Sequence, residues 1–174
     1  MSPAFAIWIT GLPASGKSTI TRALIRQFAS QGVDVAVLES DVLRQVLTPH
    51  PTYSDSERDT FYRSMAYIGS LLVSHGVPVI FDATANRRVY RNAARNAIGR
   101  FIEVYVDTPL SVCVARDPKG IYGKAQSGQA STVPGAQASY EPPERPDTVV
   151  SGSDDATDAS RRILRTLETL GFVS

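Results

Sequence analysis

The chain has 174 residues, a formal net charge of +1 and a single cysteine. That length suits one α/β domain over residues 1–174, which can bury a core without disulfides or structural metals. The near-neutral charge excludes a general attraction to nucleic acid or to a membrane surface. No apolar run approaches the roughly 18 residues of a membrane span, and no basic segment precedes the first apolar run. We therefore expect a cytoplasmic enzyme.

The first apolar run, residues 5–9, leads into G-L-P-A-S-G-K-S at residues 11–18. This G-x-x-x-x-G-K-[ST] pattern is typical of a phosphate-binding P-loop, in which small residues let backbone N–H groups surround phosphate oxygens. An amphipathic helical pattern follows and ends at Gly32, so the loop has the strand before it and the helix after it that phosphate binding needs. Lys17 would contact the β- and γ-phosphates, and the Ser18 hydroxyl would ligate Mg²⁺. We predict ATP binding by a set of loop residues: Gly11, Pro13, Ala14, Ser15, Gly16, Lys17, Ser18 and Thr19.

Further apolar runs alternate with helical patterns along the chain, as expected for a βαβ succession. The predicted fold is a P-loop NTPase three-layer sandwich, α/β in class, with helices on both faces of a mostly parallel five-stranded sheet. The predicted C-terminal helix carries an apolar face of Ile163, Leu164, Leu167 and Leu170. The five predicted strands are residues 5–10, 33–39, 77–82, 101–107 and 148–150.

Residues 117–146 differ from the rest of the chain because they are rich in Gly, Ser, Gln, Ala and Pro and show little periodicity. A long segment of this kind inside a compact domain is usually functional or disordered. In a phosphotransferase its function would be that of a mobile lid that closes over ATP. Cys113, just before this segment, lies among apolar residues and is expected to be buried.

No N-K-x-D guanine-reading element occurs in the chain, which argues against a GTPase, and the size and the predicted lid indicate a small-molecule kinase. Two further motifs are specific: R-D-P-K-G-I-Y-G-K-A at residues 116–125 and S-Y-E-P-P-E-R-P at residues 139–146. Together with the P-loop they make the chain similar to the adenylylsulfate kinase family. The resemblance implies Mg²⁺·ATP-dependent phosphorylation of the 3′-hydroxyl of adenosine 5′-phosphosulfate (APS) to give PAPS, the sulfate-activation reaction. Similar kinases often form dimers, so a homodimer is one expectation for the assembly.

The resemblance assigns Asp41 to the second acid of the family's L-D-G-D-N-x-R motif and Arg44 to its arginine. Asp41 follows the second strand, at the edge where open α/β sheets place their ligands. A carboxylate there would orient the attacking hydroxyl and accept its proton. The alternative for Asp41 is a helix N-cap.

Other charged residues match substrate-binding or lid positions of the family. Arg58 and Arg63 match two arginines of its D-R-x-E-N-x-R-R motif, but lie five residues apart and therefore face different directions on a helix. Solvated surface positions are the alternative for both. Arg87 matches the arginine of the I-S-P-Y-R motif, and Arg116 at the lid hinge would contact adenine or a phosphate. The lid lysines are Lys119 and Lys124, which would reach the acceptor's phosphate or sulfate on closure.

Several acceptor-facing positions depart from the family pattern. L-D-G-D-N is L-E-S-D-V at residues 38–42, the asparagine of D-R-x-E-N is Phe61, and I-S-P-Y-R is A-T-A-N-R at residues 83–87. The lid motif F-T-G-I-D is V-P-G-A-Q at residues 133–137, which loses an aromatic surface for the acceptor adenine worth about 1–3 kcal/mol. These changes leave a second interpretation open, namely a kinase of the same fold with another acceptor, such as a nucleotide conjugate, a sugar or a nucleic-acid end. A non-catalytic nucleotide-sensing module is the third.

The strand that ends in Asp82 is followed by Thr84, Asn86 and Arg87, a pattern similar to the D-x-T-N of other small P-loop kinases, with Ala85 inserted. Asp82 would hold a Mg²⁺-bound water or cap the next helix. Thr84 would orient an acceptor hydroxyl. The near-neutral charge and the lack of interleaved basic and aromatic residues argue against long nucleic acid as a partner.

Overall fold

The computed structural model describes residues 3–130 and 132–173. Within them a five-stranded sheet has the order β2-β3-β1-β4-β5, and every neighbouring pair is parallel. The predicted α/β fold and all five predicted strands are confirmed. The strands are β1 (Ala6–Thr10), β2 (Ala36–Glu39), β3 (Val79–Asp82), β4 (Phe101–Val106) and β5 (Thr148–Val150).

Two strands begin later than their apolar runs predict. The backbone N–H of Val33 donates to the Phe28 carbonyl at 2.9 Å, and that of Val77 donates to the Leu72 carbonyl at 3.0 Å. These bonds close the C-terminal turns of the preceding helices, as in a Schellman motif with a left-handed glycine before the donor. The first apolar residues of both runs therefore belong to helix ends and not to the sheet.

Helices cover both faces of the sheet. The first core cluster joins Ile7 and Ile9 to buried residues of the first and last helices, and the second joins Ala6 and Trp8 to buried residues of the third and fourth. This alternation along β1 is the period-two pattern of a central strand buried on both sides. The described helices are α1 (Lys17–Ser30), α2 (Ser40–Leu47), α3 (Asp55–Ser74), α4 (Arg88–Ala97), α5 (Leu110–Arg116), α6 (Ile121–Gln126) and α7 (Ala156–Thr169).

The predicted apolar face of the last helix is correct for three of its four residues. Ile163, Leu164 and Leu167 are buried, but Leu170 is 47% exposed. The reason is that α7 ends at Thr169, so Leu170 sits at the C-cap, and the residues that continue the contact with the core are Phe172 and Val173. None of the described helices is both long and apolar enough to cross a membrane.

Residues 117–146 contain more regular structure than their composition predicts. They include α6, and the buried Tyr122 and Val133 form a third apolar cluster with Cys113, whose predicted burial is confirmed. Gln137 organises the segment, because its side-chain amide donates to the Ala125 carbonyl at 3.0 Å and to the Ala130 carbonyl at 2.6 Å. The segment thus packs onto Cys113 and onto Leu12 and Ala14 of the P-loop, while its movement as a lid stays a prediction.

Candidate active site

The P-loop turns from β1 into α1 with a backbone that only small residues permit. Gly16 has φ +107°, in the left-handed region, and forms the N-cap of α1. A Cβ on Gly11 would lie 2.7 Å from the Ser15 hydroxyl oxygen and 2.7 Å from the Val106 carbonyl oxygen. The loop therefore ends at the N-terminus of α1, where unpaired N–H groups of a first helical turn and the helix dipole favour an anion.

Lys17 is partly buried at the start of α1, beneath this loop. Its Nζ donates to the carbonyls of Gly11 at 3.0 Å and of Leu12 at 2.9 Å. Burial lowers the pKa of Lys17 to about 8, against the opposing attraction of Asp82 and Asp41. A buried ammonium group that has lost part of its hydration is strongly stabilised by an anionic ligand, as expected for a phosphate-binding lysine.

Asp82 is the last residue of β3 and lies opposite Ile9 of β1 in the sheet register. It is 6% exposed, and its Oδ2 has no hydrogen-bond partner among the described residues. It does not cap a helix, since α4 begins at Arg88 with Arg87 as its N-cap. A buried carboxylate oxygen without a partner costs free energy unless it binds a cation or an ordered water.

These residues fit a magnesium ion that is held mainly by nucleotide phosphates. Residues 3–130 and 132–173 contain no group of three or more His, Cys, Asp or Glu side chains that could hold a metal alone. Mg²⁺ commonly binds through one or two protein oxygens plus substrate phosphates and waters. The exposed Ser18 hydroxyl and the Asp82 carboxylate, which both line the same cavity, supply such a set.

Asp41 lies across the crevice from the P-loop, in the first turn of α2. The N-cap of α2 is Glu39, so the capping alternative for Asp41 is not realised. Its carboxylate forms an exposed ion pair with the ammonium group of Lys119, which follows α5. The hydrogen bond from Lys119 to Asp41 raises the pKa of the lysine. This pair connects the lid entrance to the side of the cavity that carries the predicted catalytic carboxylate.

Arg44 lies one turn further along α2 and is buried. Its guanidinium carbon is 4.0 Å from the centre of the Phe61 ring and 5.0 Å from that of Tyr53. The Glu57 carboxylate is 3.9 Å from its Nη1, and Nη1 has no hydrogen-bond partner among the described residues. Phe61, another predicted acceptor-binding residue, is 1% exposed and supports Arg44 from below.

Arg58 makes three hydrogen bonds to the protein. Its Nε donates to the Tyr53 carbonyl at 3.1 Å, Nη1 to Asn86 Oδ1 at 3.1 Å and Nη2 to the Thr132 carbonyl at 2.6 Å. Asn86 in turn donates through Nδ2 to the Ser139 carbonyl at 3.0 Å. Arg58 and Asn86 therefore connect α3 and the loop after β3 to the lid at Thr132 and Ser139. The predicted substrate-binding role of Arg58 stays a prediction.

The remaining predicted residues divide between the cavity and the surface. Thr84 lines the cavity, and its carbonyl accepts a hydrogen bond from the Thr10 hydroxyl at 2.6 Å. Arg116 lines it from the end of α5. Arg63 is 75% exposed and pairs with Asp59 on the outer side of α3, so Arg58 and Arg63 do diverge as the spacing predicts. Two exposed residues do not line the cavity, and their roles stay predictions: Arg87 and Lys124.

The cavity between the P-loop, α2 and the lid entrance has a volume of about 370 Å³. Its lining includes the predicted donor-side residues from Pro13 to Thr19, together with Asp41, Asp82 and Thr84. Four other predicted residues do not line it: Gly11, Arg44, Arg58 and Phe61.

Six residues that line the cavity were not predicted as site residues from the sequence. Arg22 could have been found by its spacing, four residues after Ser18 on α1. The others belong to the two motifs that flank the cavity: Glu39, Ser40, Asp117, Pro118 and Ile121.

Comparison with known proteins agrees with this geometry. The family described as adenylylsulphate kinase matches residues 3–151. The adenylyl-sulfate kinase of Gloeothece citriformis is 39% identical over 168 residues, which are 96% of each chain. The Mycobacterium tuberculosis APS kinase, solved in complex with AMPPNP and APS, superposes with a TM-score of 0.91 at 30% identity, over 97% of this chain and 99% of that one. A hexameric APS kinase from Thiobacillus denitrificans is similar over 99% of this chain and 30% of that one, with a TM-score of 0.73 and 25% identity. The chain belongs to the adenylylsulphate kinase family.

Proposed function

We propose that this protein transfers the γ-phosphoryl group of ATP to the 3′-hydroxyl of adenosine 5′-phosphosulfate. The observation that carries the proposal is that Lys17, Ser18, Asp82 and Asp41 all line one cavity. Phosphoryl transfer passes through a loose transition state, so that positioning and charge stabilisation supply most of the catalysis. Family membership names the acceptor, and the cavity supplies the groups that the reaction needs.

In this reaction each group has a distinct task. Lys17, once it has exchanged the Gly11 and Leu12 carbonyls for phosphate oxygens, stabilises the negative charge on the β- and γ-phosphates. Ser18 and Asp82 would hold a Mg²⁺ ion, which would supply positive charge against the same phosphates. Arg116 and the P-loop hold the rest of the nucleotide.

Asp41 is the candidate base on the acceptor side. The bond from the acceptor oxygen to the γ-phosphorus forms as the bond from that phosphorus to the β-γ bridging oxygen breaks, and the hydroxyl proton passes to the Asp41 carboxylate. ADP and the 3′-phosphorylated product leave. Because Lys119 pairs with the same carboxylate, the lysine must move to the incoming anion before Asp41 can accept the hydroxyl.

One observation favours the alternative of a changed acceptor. The family's lid phenylalanine is Val133 here, and this side chain is buried with Cys113 and Tyr122 instead of facing the crevice. The acceptor base therefore loses one stacking surface. The alternative is a kinase of the same fold that acts on another hydroxyl-bearing nucleotide conjugate or sugar.

The deciding experiment measures ADP release and the nucleotide product from Mg²⁺·ATP with adenosine 5′-phosphosulfate. A reaction without acceptor and one with Lys17→Ala are the controls. We expect turnover in the 1–100 s⁻¹ range of typical kinases, with one PAPS formed per ADP. ATP binding with background turnover would refute this acceptor and favour the alternative, which a panel of 3′-hydroxyl nucleotides and sugars would then test.

A homodimer remains the expected assembly, and sedimentation of the protein tests it.

A further inference from the structure

Helix α2 carries Asp41 toward the cavity, yet it is weakly anchored. Among its residues only Arg44 is buried, while Val42 is 54% and Val46 is 75% exposed. Its N-cap, Glu39, makes no side-chain capping bond. The side chains that hold α2 against the rest of the domain are therefore the buried Arg44 and the partly buried Leu43, which packs on the second core cluster.

The contacts of the Arg44 guanidinium are mainly aromatic. Phe61 lies beneath it at 4.0 Å, and Tyr53 and Tyr62 lie at 5.0 Å and 5.7 Å from its central carbon. The polar contact with Glu57 is long, at 3.9 Å, and Nη1 is buried without a hydrogen-bond partner in the described part of the chain. A cation held by ring faces keeps its N–H donors available for an anion.

Phe61 is a rigid support for this cation. The residue is 1% exposed, and its ring meets the Tyr62 ring edge-on, with centres 5.2 Å apart and an interplanar angle of 77°. The family motif has asparagine at this position, whose amide would compete for the arginine's donors. The phenylalanine ring attracts the guanidinium from below without occupying any donor.

We propose that Phe61 is a positioning residue that fixes the Arg44 guanidinium for binding an anionic group of the acceptor. The inference rests on the proposed function, because it assumes that the acceptor carries a phosphate or sulfate that Arg44 binds. The proposal gives the replacement of the family's asparagine by Phe61 a role in acceptor binding. Phe61 itself stays buried and does not touch the acceptor.

The kinetic test compares Phe61→Leu with the wild type. Leucine keeps an apolar side chain at the position but removes the ring face, so Arg44 samples other rotamers and the KM for adenosine 5′-phosphosulfate rises about ten-fold. The KM for ATP and kcat stay within about two-fold, because the donor residues are unchanged. Phe28→Leu is the matched control: Phe28 is equally buried, in the core on the other face of the sheet, and its loss should lower stability without raising the acceptor KM.

A double-mutant cycle separates positioning from packing. In an Arg44→Met background the acceptor KM is already raised, and Phe61→Leu should raise it by less than about two-fold more. An unchanged KM in Phe61→Leu overturns the proposal, and so does a ten-fold increase that persists in the Arg44→Met background.

A second measurement does not depend on activity. The Nε–Hε NMR signal of Arg44, assigned by its loss in Arg44→Lys, should be shifted upfield in the wild type by the Phe61 ring current and return to a normal position in Phe61→Leu. An Arg44 signal that is not shifted in the wild type overturns the stacking. If the wild type shows no turnover of adenosine 5′-phosphosulfate, the proposed function fails, whereas normal wild-type turnover with an unaffected Phe61→Leu variant overturns the positioning role alone.

Discussion

The donor side and the acceptor side of this site are built in different ways. The donor side is one contiguous loop and the helix that follows it, and much of its chemistry comes from backbone N–H groups. The acceptor side draws on α2, α3, the loop after β3 and the lid, and its arginines are stacked or hydrogen-bonded within the protein. A site assembled from backbone tolerates little sequence change, while one assembled from side chains of four segments can change piece by piece.

The difference also appears in how the buried polar groups are satisfied. On the donor side, Asp82 Oδ2 has no partner in the described residues and Lys17 has its pKa lowered by burial. On the acceptor side, Arg58 donates to Tyr53, Asn86 and Thr132, whereas Nη1 of the stacked Arg44 has no partner in the described residues. The donor side thus has a buried carboxylate that is open to a cation, while Arg58 would have to exchange internal contacts for external ones to bind the acceptor.

The largest expected effect is on the donor side, with Lys17→Ala. Removing the only ammonium beneath the P-loop in the described residues should lower kcat/KM for ATP by about 100- to 1,000-fold, as the loss of a preorganised charge does in other sites. Steady-state ADP release measures it. Arg161→Ala is the matched control, because Arg161 is an exposed cation on α7. Comparable losses in both variants would contradict the assignment.

The next largest effect is expected for Asp82→Asn, which tests the binding of Mg²⁺. The amide keeps the size of the side chain but not its charge, so we expect kcat to fall by about 100-fold and the Mg²⁺ concentration for half-maximal rate to rise. Titration of the rate with Mg²⁺ at saturating ATP measures both. The exposed Asp34→Asn variant should behave as the wild type. A fall in kcat without any change in the Mg²⁺ dependence would remove Asp82 from the metal site.

A smaller effect is expected on the acceptor side, where Val133→Phe restores the family's aromatic residue. The Val133 side chain is 6% exposed and packed with Cys113 and Tyr122, so a larger ring should cost about 1–3 kcal/mol of stability by overpacking. The acceptor KM should not fall. Denaturant unfolding and acceptor kinetics measure the two effects, with Val149→Phe at an exposed strand position as control. A lower KM at unchanged stability would mean that residue 133 faces the acceptor.

The sequence predicted the local structure of the donor side well because its signals are local, while the roles of its residues stay predictions. The P-loop pattern, its flanking strand and its helix are contiguous, and the strand that ends at Asp82 placed a carboxylate at the correct sheet edge. Strand starts were the weak point, since Val33 and Val77 look like strand residues but close helix ends. Local pattern does not distinguish those two uses of an apolar residue.

The acceptor side could be predicted only in part because its geometry depends on contacts between distant segments. Motif matching found Arg44, Phe61 and Arg58, but nothing in the sequence indicates that Arg44 stacks on Phe61 or that Arg58 bonds to Asn86 and the lid. The burial of Val133 is also a tertiary effect, since its cluster partners include Tyr122 and Cys113, which lie 11 and 20 residues away along the chain. Such pairings need the fold.

The smallest effect we predict is a pH dependence that arises on the donor side alone. Burial lowers the pKa of Lys17 to about 8 in the folded protein, below the value of 10.5 for an exposed lysine. Free enzyme loses the charge of Lys17 above that pH, so kcat/KM for ATP should fall about ten-fold per pH unit there, while kcat with bound ATP falls only at higher pH.

The free energy of unfolding changes in the opposite direction. Between about pH 8 and 10.5 the unfolded state binds more protons than the folded state, so the free energy of unfolding rises with pH. Denaturant unfolding of the wild type and of Lys17→Met over this range isolates the lysine, since only the wild type gains this contribution. If the difference in free energy of unfolding between wild type and variant stays constant with pH, the Lys17 ammonium is not desolvated. The donor side would then lack the buried charge that distinguishes it from the acceptor side.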